Sequence, residues 1–176
     1  YGTLSVKEVY KKLKDFKYKC EKQGLKYNKR GLSAFSSRLS WRCHFIQKLE
    51  DQPSIENKCM HSSYEGMREK KSNTDKLKAW ETGFTGFPFV DACMRSLTYN
   101  GWITFRMRAM LTSFASYDLW IDWRESGYVL ARLFTDYEPG IHYSQLQMQS
   151  GVTGINTLRS YNPIKQAIDH DKEGEC

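Results

Sequence analysis

The chain has 176 residues, of which 40% are hydrophobic and 14% aromatic, enough to bury a core and more than a disordered chain carries. No apolar run approaches the roughly 18 residues of a membrane-spanning helix, so no membrane role is expected. The net charge of +7 is uneven: residues 1–48 hold thirteen Lys or Arg against three Asp or Glu, and residues 49–176 hold fourteen against seventeen. Such a basic stretch suits nucleic acid, or is a solvated lysine-rich helix.

In chain order, Ser5-x-x-Glu8 is a capping box, and Val6, Val9, Tyr10, Leu13 and Phe16 recur at helical spacing behind it. Residues 17–31, polar and basic with two glycines, read as a loop. Ser33 caps a long helix that reaches about Glu50 and ends at Gln52-Pro53. One of its faces is apolar (Leu39, Cys43, Ile46); the other is cationic and aromatic (Arg38, Trp41, Arg42, Phe45). Residues 54–74 read as irregular, with at most a turn of helix.

Pro88 suits the first position of the next helix, Val90, Cys93, Met94 and Leu97 form its stripe, and Gly101 stops it. Thr104 caps another, with Met107, Met110, Leu111 and Phe114 inward. Asp122-x-x-Glu125 caps a third, with Val129, Leu130 and Leu133 inward, and Pro139-Gly140 breaks it. A last helical stretch covers residues 142–150, followed by a turn at 151–154. The tail beyond Asn162-Pro163 is polar. With no period-two run, repeat or low-complexity segment, the expectation is one all-α domain over residues 1–176.

The five cysteines are scattered and none forms a Cys-x-x-Cys, which points to reduced thiols in a cytoplasmic protein and against zinc or iron–sulfur sites. No metal is expected. No signal peptide is visible, and Tyr1 is not a natural start, so preceding residues are expected.

The segment from Trp80 to Trp123 carries an ordered set: Trp80, Gly83-x-x-Gly86-x-Pro88, Val90-Asp91-Ala92-x-Met94-Arg95-x-Leu97, Gly101-Trp102, Arg106-x-Arg108 and Asp122-Trp123-Arg124-Glu125. This order resembles the flavin-binding helical domain of the DNA photolyase and cryptochrome family. The resemblance runs from Gly2-Thr3-Leu4-Ser5 to Asn162-Pro163. It implies a multi-helical fold holding FAD in a folded form. The favoured activity is light-dependent repair of cyclobutane pyrimidine dimers in DNA, a deoxyribodipyrimidine photo-lyase splitting carbon–carbon bonds, with the lesion flipped out of the duplex.

Carried over residue by residue, Arg108 and Asp136 match the ion pair that flanks the flavin ring, with a plain helix-joining salt bridge as the alternative. Glu138 matches the second acid of that segment, and Tyr137 lies between. Trp41 and Arg42 match the pair where the lesion pocket meets the flavin: Trp offers a stacking face and Arg a fork for phosphate. Core packing with a solvated Arg is their plainer reading. Phe35, one turn earlier, falls where an aromatic often faces the cofactor, with core packing an equal reading. Arg106 is a further DNA-contact candidate.

Trp123 matches the middle of a three-tryptophan electron chain. Its outer position falls at Lys70 and its inner one at Leu146, so electrons would use other rings, such as Tyr143, Trp102, Trp120 or Tyr128. Arg38, Phe105 and Met148 stand where dimer-repairing members commonly place an acid, an Asn and a Trp. His142 falls opposite the flavin nitrogen that gains a proton; it would tune the redox state and could donate a proton near neutral pH, or simply pack. Gln147, Gln149, Ser150 and the Gly151-Val152-Thr153-Gly154-Ile155-Asn156 run suit close approach to cofactor or DNA, or a tight turn.

The resemblance also implies an absent N-terminal α/β domain for a folate or deazaflavin antenna pigment, an absent phosphate-binding Thr-Ser-x-Leu-Ser stretch, and absent final helices. The fragment alone is therefore expected to bind FAD weakly or not at all and to be inactive. Rival readings are a cryptochrome-type photosensor without repair, a (6-4) photolyase, and a helical DNA-binding module without flavin. A monomer acting on dimer-containing DNA is expected.

Overall fold

The computed structural model describes residues 4–68, 74–154 and 160–174. Among these are eight α-helices and no strand: α1 (Val6–Gln23), α2 (Lys29–Asp51), α3 (Thr74–Thr82), α4 (Pro88–Asn100), α5 (Phe105–Ser113), α6 (Trp123–Leu133), α7 (Pro139–Ser150) and α8 (Pro163–His170). The all-α reading holds.

Helix α1 starts at the capping box: Glu8 N–H donates to Ser5 Oγ at 3.1 Å, and Ser5 N–H donates to the Glu8 carboxylate at 3.3 Å. It does not end near Lys17 but continues to Gln23, where Gly24 takes a left-handed φ of 63°. The expected loop lacks a breaker before Gly24. Its lysines and glutamate are good helix formers, and Cys20 is buried. The same correction moves the start of α2 back from Ser33 to Lys29, because Asn28 Oδ1 accepts from Gly31 N–H at 2.8 Å and caps there.

The faces of α2 also differ from expectation. Phe45 is its buried residue and Cys43 is exposed. The cause is α7, which packs against α2 so closely that a Cβ on Gly140 would lie 2.8 Å from Ile46 Cα and 2.8 Å from the Phe45 carbonyl oxygen. Pro139-Gly140 therefore does not break α6, which ends at Leu133. Pro139 opens α7, and Gly140 is the crossing point.

Residues 53–68 contain two short 3₁₀ turns, Pro53–Glu56 and Ser62–Tyr64. Helices α3 and α8 escaped prediction. Trp80 alone is fully buried on α3. Pro163, read as the start of a polar tail, opens α8, and Asn162 caps it by accepting from Lys165 N–H at 3.0 Å. The start and stop of α4 are as expected, with Gly101 at φ 70°. Helix α5 runs on into a π turn, Phe114–Asp118, and Trp120 beyond it is a non-glycine residue at φ 59°. Trp80, Met94, Leu97, Met110, Leu111, Phe114, Trp123 and Leu130 form the heart of the core.

Candidate functional site

Helices α5, α6 and α7 and the 134–138 connection border an open-mouthed cavity of about 150 Å³, on the scale of one ring system. Helix α5 contributes Arg108, and the connection contributes Asp136, Tyr137 and Glu138. Arg108 grips Asp136 with two parallel bonds, Nη1 to Oδ1 and Nη2 to Oδ2, both 3.0 Å. Its Nε donates to the Ile103 carbonyl at 2.9 Å, and its guanidinium carbon lies 4.2 Å from the Phe134 ring centre and 5.9 Å from that of Trp102. The planar fork is thus fixed in orientation, as a lysine could not be. Leu130, Phe134 and Leu146 supply apolar wall.

Glu138 precedes the first residue of α7, and its carboxylate is 3.4 Å from Arg42 Nη2. Arg42 is therefore tied to the N-terminus of α7 by an ion pair, which the sequence reading, with phosphate in view, did not foresee.

His142 is buried, with Nε2 3.0 Å from the Gly127 carbonyl oxygen. A carbonyl only accepts, so Nε2 carries the proton. Burial brings the His142 pKa down to about 4, opposed by the Gly127 bond and reinforced by the Arg108 charge. Burial thus favours the neutral ring, whose one N–H is engaged by Gly127, and weighs against an imidazolium proton donor near neutral pH. Tyr137, Tyr143 and Phe134 surround it at ring-centre distances of 5.2, 5.1 and 6.2 Å. Gly127 makes room for α7: a Cβ there would meet Leu146 Cδ2 at 2.4 Å.

Trp123 lies in the core, 1% exposed, and not in the cavity wall. Its Nε1 donates to Cys59 Sγ at 3.4 Å, Arg124 covers its face at 4.5 Å, and Tyr143 meets it edge-on at 6.4 Å. Trp123, Tyr143 and His142 therefore form a line of neighbouring rings that ends at the cavity. Of the four alternative rings, Tyr143 is buried, whereas Trp102, Trp120 and Tyr128 are about half exposed. Lys70 lies outside the described residues.

The cavity thus gathers Arg108, Asp136, Tyr137, Glu138, His142, Leu146, Gln149 and the rim residue Phe105, which is 61% exposed. It does not gather the rest. Phe35 and Trp41 sit half-exposed on α2, with Trp41 5.6 Å from the Phe45 ring. Arg38 and Arg106 are exposed, and Met148 is partly buried outside the cavity wall. Asn156 and Ile155 lie outside the described residues.

Gln147 turns out to hold the fold: Nε2 donates to the Ile55 and Lys58 carbonyls at 2.8 and 2.9 Å, and Oε1 accepts from Met60 N–H at 2.7 Å. Sequence reasoning missed Thr112, Ile141 and Gln145 in the cavity wall. The spacing 138, 142, 145, 149 along one helical face was the available signal. It also missed Arg68, whose buried guanidinium donates to the Ser116 and Ser150 carbonyls at 2.8 and 3.1 Å and faces Trp120 at 5.0 Å. Among the described residues, no group of His, Cys, Asp and Glu could hold a metal, and no helix is long and apolar enough to cross a membrane.

A family model described as the FAD binding domain of DNA photolyase matches residues 35–176. The deoxyribodipyrimidine photo-lyase of Streptomyces griseus is 33% identical over 178 aligned positions, covering 99% of this chain and 36% of that protein. Cryptochrome DASH of Xenopus laevis is 36% identical over 106 positions, covering 60% of this chain and 20% of its own length. Among solved structures, a bacterial class III photolyase from Agrobacterium tumefaciens superposes with a TM-score of 0.84 at 26% identity, over 98% of this chain and 35% of that one. The chain spans about a third of the length of the photo-lyase relative from Streptomyces.

Proposed function

The chain belongs to the DNA photolyase and cryptochrome family, and from that premise we propose that its Arg108–Asp136 cleft holds the ring of FAD for light-dependent repair of cyclobutane pyrimidine dimers in DNA. The observation that carries this is the bidentate Arg108–Asp136 pair set against the apolar wall of Phe134, Leu130 and Leu146. Such a wall fits a flat ring, and a fixed charge pair fits its polar heteroatoms. When bound, FAD supplies the light-absorbing electron donor.

The chain's own residues have separable tasks under this reading. Arg108 and Asp136 orient the ring, with Tyr137 and Glu138 beside them. His142, neutral and held by Gly127, tunes the cofactor as a hydrogen-bond acceptor at Nδ1. Trp123 and Tyr143 offer a path of rings for electrons from the core. Half-exposed Trp41 gives a flipped base a stacking face, Phe35, Phe105 and Met148 line the approach, and Arg38, Arg42 and Arg106 face phosphate.

Residues 1–176 act here as one FAD-binding and DNA-binding unit of a cytoplasmic, monomeric deoxyribodipyrimidine photo-lyase. A folate or deazaflavin antenna pigment, where the full-length protein carries one, would bind outside this segment.

A second reading is a cryptochrome-type photosensor without repair. Arg38, Phe105 and Met148 at the lesion-contact positions favour it, as does the match to a cryptochrome DASH. Blue-light repair of a defined thymine dimer by the full-length protein tests the choice. Repair that requires light supports the lyase. Bound FAD without repair moves the assignment to a photosensor or to the (6-4) lesion.

A further inference from the structure

Gln149 lies on α7 two turns beyond His142, about 10 Å along the axis, and lines the same cavity. It is 4% exposed, and its Oε1 is buried with no hydrogen-bond partner. The contrast with Gln147 is direct. That amide, two residues earlier, is used up by three backbone groups of the 55–60 segment. The Gln149 Oε1 has no such partner, on a residue that lines the cavity. Other buried side-chain atoms lacking a partner, such as those of Arg68, Trp80, Ser144 and Gln166, belong to residues that do not line this cavity.

Neighbouring groups do not compensate. Thr112 Oγ1 already donates to the Arg108 carbonyl at 3.0 Å, and Ala109, Leu130 and Leu146 are apolar. A buried polar group without a partner destabilises a fold, so such a group at a cavity wall is a place where a ligand completes the bonding. A carboxamide presents an acceptor beside a donor, and the two exchange places by a flip. Its complement is a ring edge with N–H beside C=O. A phosphate or carboxylate does not match it, because Oε1 would face another acceptor.

We infer that Gln149 is a specificity-determining residue of this cleft, pairing its carboxamide with the N–H/C=O edge of a ring bound there. This rests on the cleft being the cofactor pocket of the proposed function. Two rings share the chemistry: the pyrimidine end of the flavin and a pyrimidine base of damaged DNA.

The test uses the full-length protein freed of flavin, with Gln149→Leu as a near-isosteric variant and Gln149→Glu as one that loses the donor. Three quantities are measured: the melting temperature without ligand, the affinity for FAD against FAD methylated at N3, and the dark affinity for a thymine-dimer oligonucleotide against the undamaged one. If the ring is flavin, the wild type prefers FAD over the methylated form by about tenfold, a loss typical of one buried hydrogen bond. Gln149→Leu then loses that preference and melts at the same or a higher temperature without ligand, whereas Gln149→Glu keeps the preference, because its oxygen still accepts from N3–H, and binds both forms more weakly, because its carboxylate faces the ring carbonyl. A purely structural glutamine would instead lower the melting temperature when replaced.

If the ring is a DNA base, FAD preference is unchanged and discrimination in favour of the dimer falls about tenfold. Both preferences intact in Gln149→Leu overturns the inference. A wild type that binds no FAD overturns the cofactor reading separately, and the DNA arm alone then decides for Gln149.

Discussion

Arg108 and Asp136, 28 residues apart in sequence, face each other through two parallel hydrogen bonds of equal length, 3.0 Å. Both side chains are partly exposed, at 23% and 38%, so the pair adds little to folding, no more than about 1 kcal/mol. Its value lies in orientation. Replacing Arg108 with Lys keeps the charge and loses the fork. The expected result is a melting temperature within a few degrees of wild type and FAD affinity weaker by about tenfold. Flavin titration of the full-length variant checks this, and unchanged affinity would remove Arg108 from the cofactor site.

The state of His142 makes stability depend on pH. Its folded pKa, about 4, lies below the ordinary 6.5, so the unfolded chain binds more protons between those values. Stability is complete above about pH 6.5 and falls as pH drops toward 4, by on the order of 3 kcal/mol from this group alone. Urea unfolding at pH 7, 5.5 and 4.5 should show the decline, and His142→Phe should flatten it. A parallel decline in the variant would assign the effect to other groups.

Gly140 should respond to substitution with the opposite sign to an ordinary helical glycine. Gly to Ala inside a helix usually stabilises by about 0.5–1 kcal/mol. Here the new Cβ would sit 2.8 Å from two backbone atoms of α2, which cannot swing aside as a side chain can. Gly140→Ala should cost about 1–3 kcal/mol and loosen the Arg42–Glu138 pair. Denaturant midpoints of the two proteins decide it.

Light-driven reduction of bound flavin should slow when either ring between core and cleft is replaced. Trp123→Phe loses the donor ring and its bond to Cys59, and Tyr143→Leu breaks the line toward His142. Burial and the neighbouring Tyr137 hydroxyl hold the Tyr143 hydroxyl above its usual pKa, so it stays protonated at neutral pH. Transient absorption after a blue flash reads the rate. An unchanged rate in both variants would rule this line out as the path.

Several local signals in the sequence were reliable. The Ser5–Glu8 box, the Pro88 start and the Gly101 stop each depend on a few adjacent residues, and each is where it was expected. Arg108 and Asp136 were legible through the family resemblance. Some failures were local too, at the Gly24 stop and the Asn28 and Asn162 caps, but the larger ones depend on partners distant in sequence. Phe45 is buried and Cys43 exposed because α7, some 95 residues downstream, chooses the face of α2. Gln147 and Gln149 are the same residue type two positions apart, yet one ties down the 55–60 segment and the other borders the cavity. Only the packing of α7 separates them.

Helix α7 is anchored on two sides. Gly140 seats it against the backbone of α2, and Gln147 bolts it to residues 55, 58 and 60. His142, Gln145, Leu146 and Gln149 project from this same helix into the cleft. Sliding or rotating the helix would break the Gln147 bonds and collide at Gly140. The wall of the cleft is consequently fixed in advance: under the proposed function an incoming ring would find it already in place, with little binding free energy lost to ordering the protein.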